Sequence, residues 1–193
     1  ALEVYRACLL AYPQSLEACL GDAGVLVDLW SIDEAVAAYE RALVLAPGSG
    51  AIFSALLFHR HYLSPVDARQ MFAAHQRFGA MMRQTILRPR EDLAQAPDPA
   101  RRLRIGYLSP NFSRHSVGYF IEPVIRCHDR EHYEVFCYYS HRLSDDTTQR
   151  IRDLADGWRD VFGVDSDAVD RMIREDKIDI LFDLAGHSKG NQL

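Results

Sequence analysis

The chain has 193 residues, 48% of them hydrophobic, enough to bury the core of one domain or two small ones. A net charge of −5 leaves no basic surplus to neutralise a run of phosphates, so nucleic acid is not an expected partner. No apolar run approaches the ~20 residues that span a bilayer, and no membrane association is expected.

In chain order, a repeat comes first. The segment Ala35-Val-Ala-Ala-Tyr39-Glu-Arg-Ala42-Leu-Val-Leu-Ala-Pro47 places two small residues, an aromatic and a proline at the offsets of the second helix of a tetratricopeptide repeat. One period of ~34 residues earlier, Ala1, Tyr5, Cys8 and Pro13 play the same parts. Small residues let helices approach, the aromatic fills the groove between them, and proline stops the helix. Leu16 to Trp30 reads as the intervening helix, with Ala23 as its small residue, and Ser31 to Asp33 as a turn. Helices continue from Ala51 to about Leu87, but Arg69 and Gln76 stand where small residues belong, as in a capping unit. Residues 1–87 are therefore expected to form the end of a helical tetratricopeptide superhelix.

Residues 88–102, where Pro89, Pro97 and Pro99 alternate with charged residues, read as a linker. Beyond it the pattern changes to alternating strands and helices. Leu103–Leu108 and Tyr133–Tyr139 read as strands, and Val117–Cys127 as a helix bent or broken near Pro123. A helix from about Asp145 is expected to stop at Gly157, followed by a short apolar stretch at Val161 and Phe162. A helix from Ala168 to Glu175, opened by Asp165 or Ser166, leads into the strand Ile178–Leu184. This order argues for a parallel sheet flanked by helices, part of a Rossmann-like lobe over residues 103–193.

In such sheets ligands bind at the carboxyl ends of the strands. The loop after the first strand carries Asn111, Arg114 and His115, with Ser116 as the expected helix cap. The last loop begins at Asp183 and brackets His187, Ser188 and Lys189 between Gly186 and Gly190, so that backbone N–H groups can approach a ligand. Alone, each loop has a plain reading, a surface histidine or a glycine turn; together they are what a cleft needs. His59 and His61 lie on different helical faces, and His128 and His132 lack a third partner at ligand spacing, so no metal is expected. Tyr133, Phe136, Tyr138 and Tyr139 read as core rather than as base-stacking residues. Cys8, Cys19, Cys127 and Cys137 form no C-x-x-C pair and sit among apolar neighbours, so buried thiols in a reducing, cytoplasmic compartment are expected. Ala1 is not a methionine and Leu193 closes just past a strand–loop motif, so a piece of a larger protein is expected.

The runs Leu103-Arg-Ile-Gly-Tyr-Leu-Ser-Pro-Asn-Phe112, His115-Ser-Val-Gly-Tyr-Phe-Ile-Glu122, Glu134-Val-Phe-Cys-Tyr138 and Arg174-Glu-Asp-Lys-Ile-Asp-Ile-Leu181, with Gly186-His187, resemble the family 41 glycosyltransferases, the family containing protein O-GlcNAc transferase and SPINDLY. The resemblance implies the N-terminal lobe of a two-lobed GT-B enzyme, with the donor lobe outside this chain and the fragment inactive alone. It implies transfer of a sugar, GlcNAc from UDP-GlcNAc, to Ser/Thr of proteins or peptides held by the helical array. His115 aligns with the family's active-site histidine, a base or a group that only positions the acceptor. Ser188 and Lys189 match a Thr-Lys pair near the sugar. Ser116 and His187 depart toward SPINDLY, which keeps an O-fucosyltransferase using GDP-fucose open. A non-catalytic tetratricopeptide adaptor and an asparagine-modifying N-glucosyltransferase of the same family also stay open. The nucleotide sugar is a co-substrate, no cofactor is expected, and homo-oligomerisation is left open.

Overall fold

The structure, a computed structural model, describes residues 1–85, 98, 100–188 and 191. It divides near residue 94 into two compact units, each described by itself. Of the expected linker, residues 88–97 and 99 lie outside the described residues.

The first unit contains α1 (Leu2–Ala11), α2 (Leu16–Asp28), α3 (Ile32–Leu45), α4 (Gly50–Arg60) and α5 (Ala68–Thr85), each packed on its chain neighbour. Ser15 and Ser49, thirty-four positions apart, cap α2 and α4: their hydroxyl oxygens accept from the Ala18 N–H (3.2 Å) and the Ile52 N–H (3.3 Å). Ala23, Ala35, Ala38 and Ala42 are fully buried, which lets α2 and α3 approach closely. The Tyr5 ring lies where a Cβ on Gly21 would be, and one period later Tyr39 stacks on His59 at 5.2 Å. α5 buries Met71, Ala74 and Phe78 on one stripe and exposes Arg69 and Gln76.

The turn before α3 differs from the expected Ser31–Asp33. α2 ends at Asp28, Trp30 makes the turn with φ of 60°, and α3 starts at Ile32 because Ile32 is buried against Val36, Phe53 and Leu56.

The second unit contains β1 (Leu103–Ser109), α6 (Ser116–Arg126), β2 (Tyr133–Tyr139), α7 (Asp146–Leu154), β3 (Gly157–Asp160), α8 (Ser166–Glu175) and β4 (Ile180–Asp183). All strands are parallel, in the order β3-β2-β1-β4. β1 and β2 pair from Leu103 with Tyr133 to Ser109 with Tyr139. The two-residue period of the strands supplies two cores. Ile105, Tyr107, Val135, Cys137 and Tyr139 pack with Ile121, Ile125 and Ile151 of α6 and α7, while Leu108 and Tyr138 pack with Val169 of α8.

Sequence reading missed β3. α7 stops at Leu154, and Gly157 opens a strand rather than ending a helix; a Cβ there would overlap the Phe136 ring. Gly-Trp-Arg-Asp has no apolar alternation, so only the following Val161, buried with its N–H on the Tyr139 carbonyl (2.8 Å), left a signal. α6 runs through Pro123 as one helix. β4 is shorter than expected because α8 ends with Lys177 in a left-handed conformation (φ 52°) and the Ile178 N–H returning to the Ile173 carbonyl. Cys127 is exposed, contrary to expectation, since it caps the end of α6 beyond the last buried turn; Cys19 and Cys137 are buried and Cys8 is half-buried.

The C-terminal end of α8 is clamped to the sheet. The buried Asp176 carboxylate accepts from Arg159 Nε (3.0 Å) and Nη2 (2.6 Å) and from the Tyr138 hydroxyl (2.9 Å). Burial alone would raise its pKa, but these bonds outweigh that and hold it below the usual carboxylate range.

Candidate active site at the carboxyl edge of the sheet

The strand order creates the site. The chain passes outward from β1 to β2 and β3, then crosses back to place β4 on the other side of β1. The switch point therefore lies between β1 and β4, and in open α/β sheets ligands bind at the carboxyl ends of the strands at such a point.

The first loop is built from below. Phe112 is fully buried against Tyr139 and Trp158, and Ser109 Oγ accepts from the Asn111 N–H (3.0 Å). The loop then folds tightly over α6, where a Cβ on Gly118 would overlap the Ser113 carbonyl oxygen. His115, not Ser116, is the N-cap of α6, and its Nδ1 accepts from the Val117 N–H (3.2 Å). The imidazole can accept there only if Nδ1 is unprotonated, which leaves the neutral ring's proton on Nε2. His115 is exposed, so this Nε2–H is a donor available to a ligand oxygen. Asn111 sits on the same turn, and its side-chain amide makes no hydrogen bond to the described residues.

Arg114 is engaged in the fold. Its backbone N–H donates to Asp145 (2.7 Å) and its guanidinium to Asp146 (2.8 Å). Asp145 also caps α7 in a reciprocal box with Thr148. The Arg114 N–H is the leading cause of the lowered pKa of the Asp145 carboxyl. One carboxylate thus pins the loop after β1 to the loop after β2.

In the last loop, Asp183 turns the chain: its carboxylate accepts from the Ala185 N–H (3.2 Å) and the Gly186 N–H (2.7 Å). Gly186 takes φ of 54°, a conformation glycine adopts without strain. The Ser188 hydroxyl donates to the Ala185 carbonyl (2.7 Å), and the Asn191 amide to the Ser188 carbonyl (2.8 Å). His187 is half-buried, and Lys189 lies outside the described residues.

A third stretch of rim was missed. After β2, exposed His141, Arg142 and Leu143 lie at the same edge, near Phe162 from the end of β3. The run Ser-His-Arg after a strand could have flagged it. The histidine pair at the end of α6 is split between separate partners: His128 Nε2 bonds the Tyr107 hydroxyl (2.7 Å) and His132 bonds Asp129 (2.7 Å). Burial lowers the pKa of His128. Among the described residues no group of three or more acidic, histidine or cysteine side chains could hold a metal ion. No helix there is long and apolar enough to cross a membrane.

Fold and rim together define a parallel α/β unit with a topological switch point between β1 and β4, in a chain that also carries a unit of helical hairpins. Residues 54–193 match the model of glycosyl transferase family 41. The chain belongs to this family. It is 38% identical over 142 residues to a probable UDP-N-acetylglucosamine-peptide N-acetylglucosaminyltransferase SPINDLY from Petunia hybrida, covering 71% of this chain and 15% of that relative. It is 42% identical over 92 residues to the correspondingly described SEC protein of Arabidopsis thaliana, covering 47% and 9%. Among solved structures, a mutant O-GlcNAc transferase from Thermobaculum terrenum superimposes with a TM-score of 0.81 at 35% identity, covering 97% of this chain and 36% of that one. The chain spans about 15% of the length of the first SPINDLY relatives it matches.

Proposed function

We propose that this chain is the acceptor-side part of a nucleotide-sugar-dependent protein O-glycosyltransferase that carries GlcNAc from UDP-GlcNAc to Ser/Thr hydroxyls. The observation that carries the reading is His115, held by its own helix at the switch point with its Nε2–H free for a substrate oxygen. In this reading residues 1–87 end a tetratricopeptide array that presents protein acceptors, and residues 103–193 form part of the N-terminal lobe of a GT-B enzyme whose donor lobe lies elsewhere in the full protein. The compartment is cytoplasmic.

In the transfer step the acceptor oxygen bonds to the anomeric carbon, the bond from that carbon to the diphosphate breaks, and the nucleoside diphosphate leaves with the electron pair. A histidine that already carries its proton on Nε2 does not take the hydroxyl proton; it orients the acceptor, and the proton passes to the departing phosphate or to solvent. Asn111 and the Asp183–Lys189 loop contact the sugar and its acceptor, Arg114 holds the loop that carries His115, and Lys189 balances phosphate charge without a metal.

In the full-length protein, His115→Asn keeps a capping acceptor and removes the imidazole. Turnover is expected to fall by about 10²-fold through lost positioning with the melting temperature unchanged; unchanged turnover sinks the assignment. A second reading, fucose transfer from GDP-fucose, is favoured by Ser116 and His187, the two positions at which the rim loops resemble SPINDLY. Mass spectrometry of an acceptor incubated with each donor distinguishes the sugars, and silence on both leaves an adaptor.

A further inference from the structure

The loop after β2 is a built feature that neither the helix caps nor the core requires. The Tyr139 hydroxyl donates to the Leu143 carbonyl (2.5 Å), the Leu143 N–H to His141 Nδ1 (3.2 Å), and the Ser140 N–H to the Ser109 carbonyl (3.1 Å). At its tip Arg142 lies over the Phe162 ring, 5.7 Å from the centroid, and His141 meets the same ring edge-on at 6.5 Å. Most arginines of this unit are paired with carboxylates: Arg101 with Asp179, Arg104 with Glu134, Arg114 with Asp146, Arg130 with Asp156, Arg159 with Asp176. Arg142 has no carboxylate partner among the described residues, although it stands on the rim. Leu143 and Phe162 beside it are 72% and 50% exposed.

We infer that Arg142, stacked on Phe162 and flanked by Leu143, reads an acidic side chain of the polypeptide acceptor next to the hydroxyl that is modified. This deepens the proposed function and rests on it. Stacking uses a face of the planar guanidinium and leaves its N–H edges for a carboxylate, and it holds the long side chain in place, so less freedom is lost on binding. Contact between Arg114 and Asp145 ties this loop to the one that carries His115, so the patch and the imidazole stand on the same rim.

Charge and apolar area decide between a peptide and the donor diphosphate. A group with two or more negative charges would face Asp145 and Asp146 at the start of α7, where, among the described residues, the neighbouring Arg114 and Arg150 are already paired with Asp146 and Glu122. A single carboxylate meets less repulsion, and the apolar neighbours of an acidic residue can cover Leu143 and Phe162.

The test uses the full-length protein and fluorescein-labelled nine-residue peptides with a central serine and two leucines. In one pool a glutamate is scanned through the positions flanking the serine; matched pools carry glutamine or lysine. Anisotropy at low salt is expected to show the glutamate pool binding about two- to fivefold tighter than the glutamine pool, the scale of a partly exposed ion pair. Arg142→Ala should bind both pools alike, and Arg142→Glu should prefer the lysine pool. Equal binding of the glutamate and glutamine pools by the wild type, or a preference that survives in Arg142→Ala, overturns the inference. So does a loss of nucleotide-sugar affinity in Arg142→Ala with peptide binding unchanged. Binding is read without turnover, so a protein that transfers neither sugar defeats the proposed function while this result stands, and transfer without a glutamate preference defeats this inference alone.

Discussion

The two units reach a close-packed interior by opposite means. In the helical unit the positions with no exposure are mostly alanines, Ala23, Ala35, Ala38, Ala42 and Ala74, and each helix packs on its neighbour in sequence. In the α/β unit they include Phe112, Ile125, Val135, Tyr138 and Ile151, brought together from strands, helices and a loop far apart in the chain. Alanine at a helix crossing fixes how near two helices come, and the stabilisation is spread along the array. A buried aromatic gathers its contribution at one point, so the α/β unit should be fragile to truncation and the helical unit to enlargement.

The largest expected effect is therefore Phe112→Ala, which removes the ring under the first rim loop and should cost about 3–5 kcal/mol in chemical denaturation. Asp176→Ala should follow at about 2–3 kcal/mol, because the buried Tyr138 hydroxyl and the Arg159 guanidinium lose their acceptor. The pH dependence has a definite sign. The folded-state pKa of Asp176 lies below its unfolded value of about 3.9, so its stabilisation is complete above that pH and is lost as pH falls through the lower, folded value. Acid titration of stability should lose this component in Asp176→Asn.

In the helical unit Ala38→Leu should cost about 1–3 kcal/mol by overpacking; a stabilising result would break the contrast. Ser49→Ala should cost about 1 kcal/mol through the lost cap. The smallest effect is chemical. Burial pushes the Cys137 thiol up to about 12, so a maleimide at neutral pH should label exposed Cys127 in the native protein and reach Cys137 only on unfolding.

What could be read in advance follows the same contrast. The helical hairpins announce themselves because Ala, Tyr and Pro recur at a fixed interval and the packing they serve is local. β1, β2 and β4 are visible as apolar runs, whereas β3 is defined by pairing with Phe136 to Tyr139, and nothing in Gly-Trp-Arg-Asp reports that partner. The rim loops were found from strand ends. The capping by His115 was not, since serine is the commoner cap and Ser116 stood one residue away. Nor was the bond from Arg114 to Asp145, which spans 31 positions and exists only once α7 has formed. His141, Arg142 and Phe162 come from two loops, and only the sheet brings them together.

The matching caps of Ser15 and Ser49 imply how this protein can change length. Excising residues 15–48 would splice Gln14 to Ser49, so that one capping serine takes the other's place and α1 leads into α4 much as it now leads into α2. The helical unit is thus editable in whole periods, and an array of this kind can be lengthened or trimmed by unequal recombination without a new fold. The α/β unit offers no such seam: β1 and β4 flank the switch point, and β2 and β3 are paired in series onto β1.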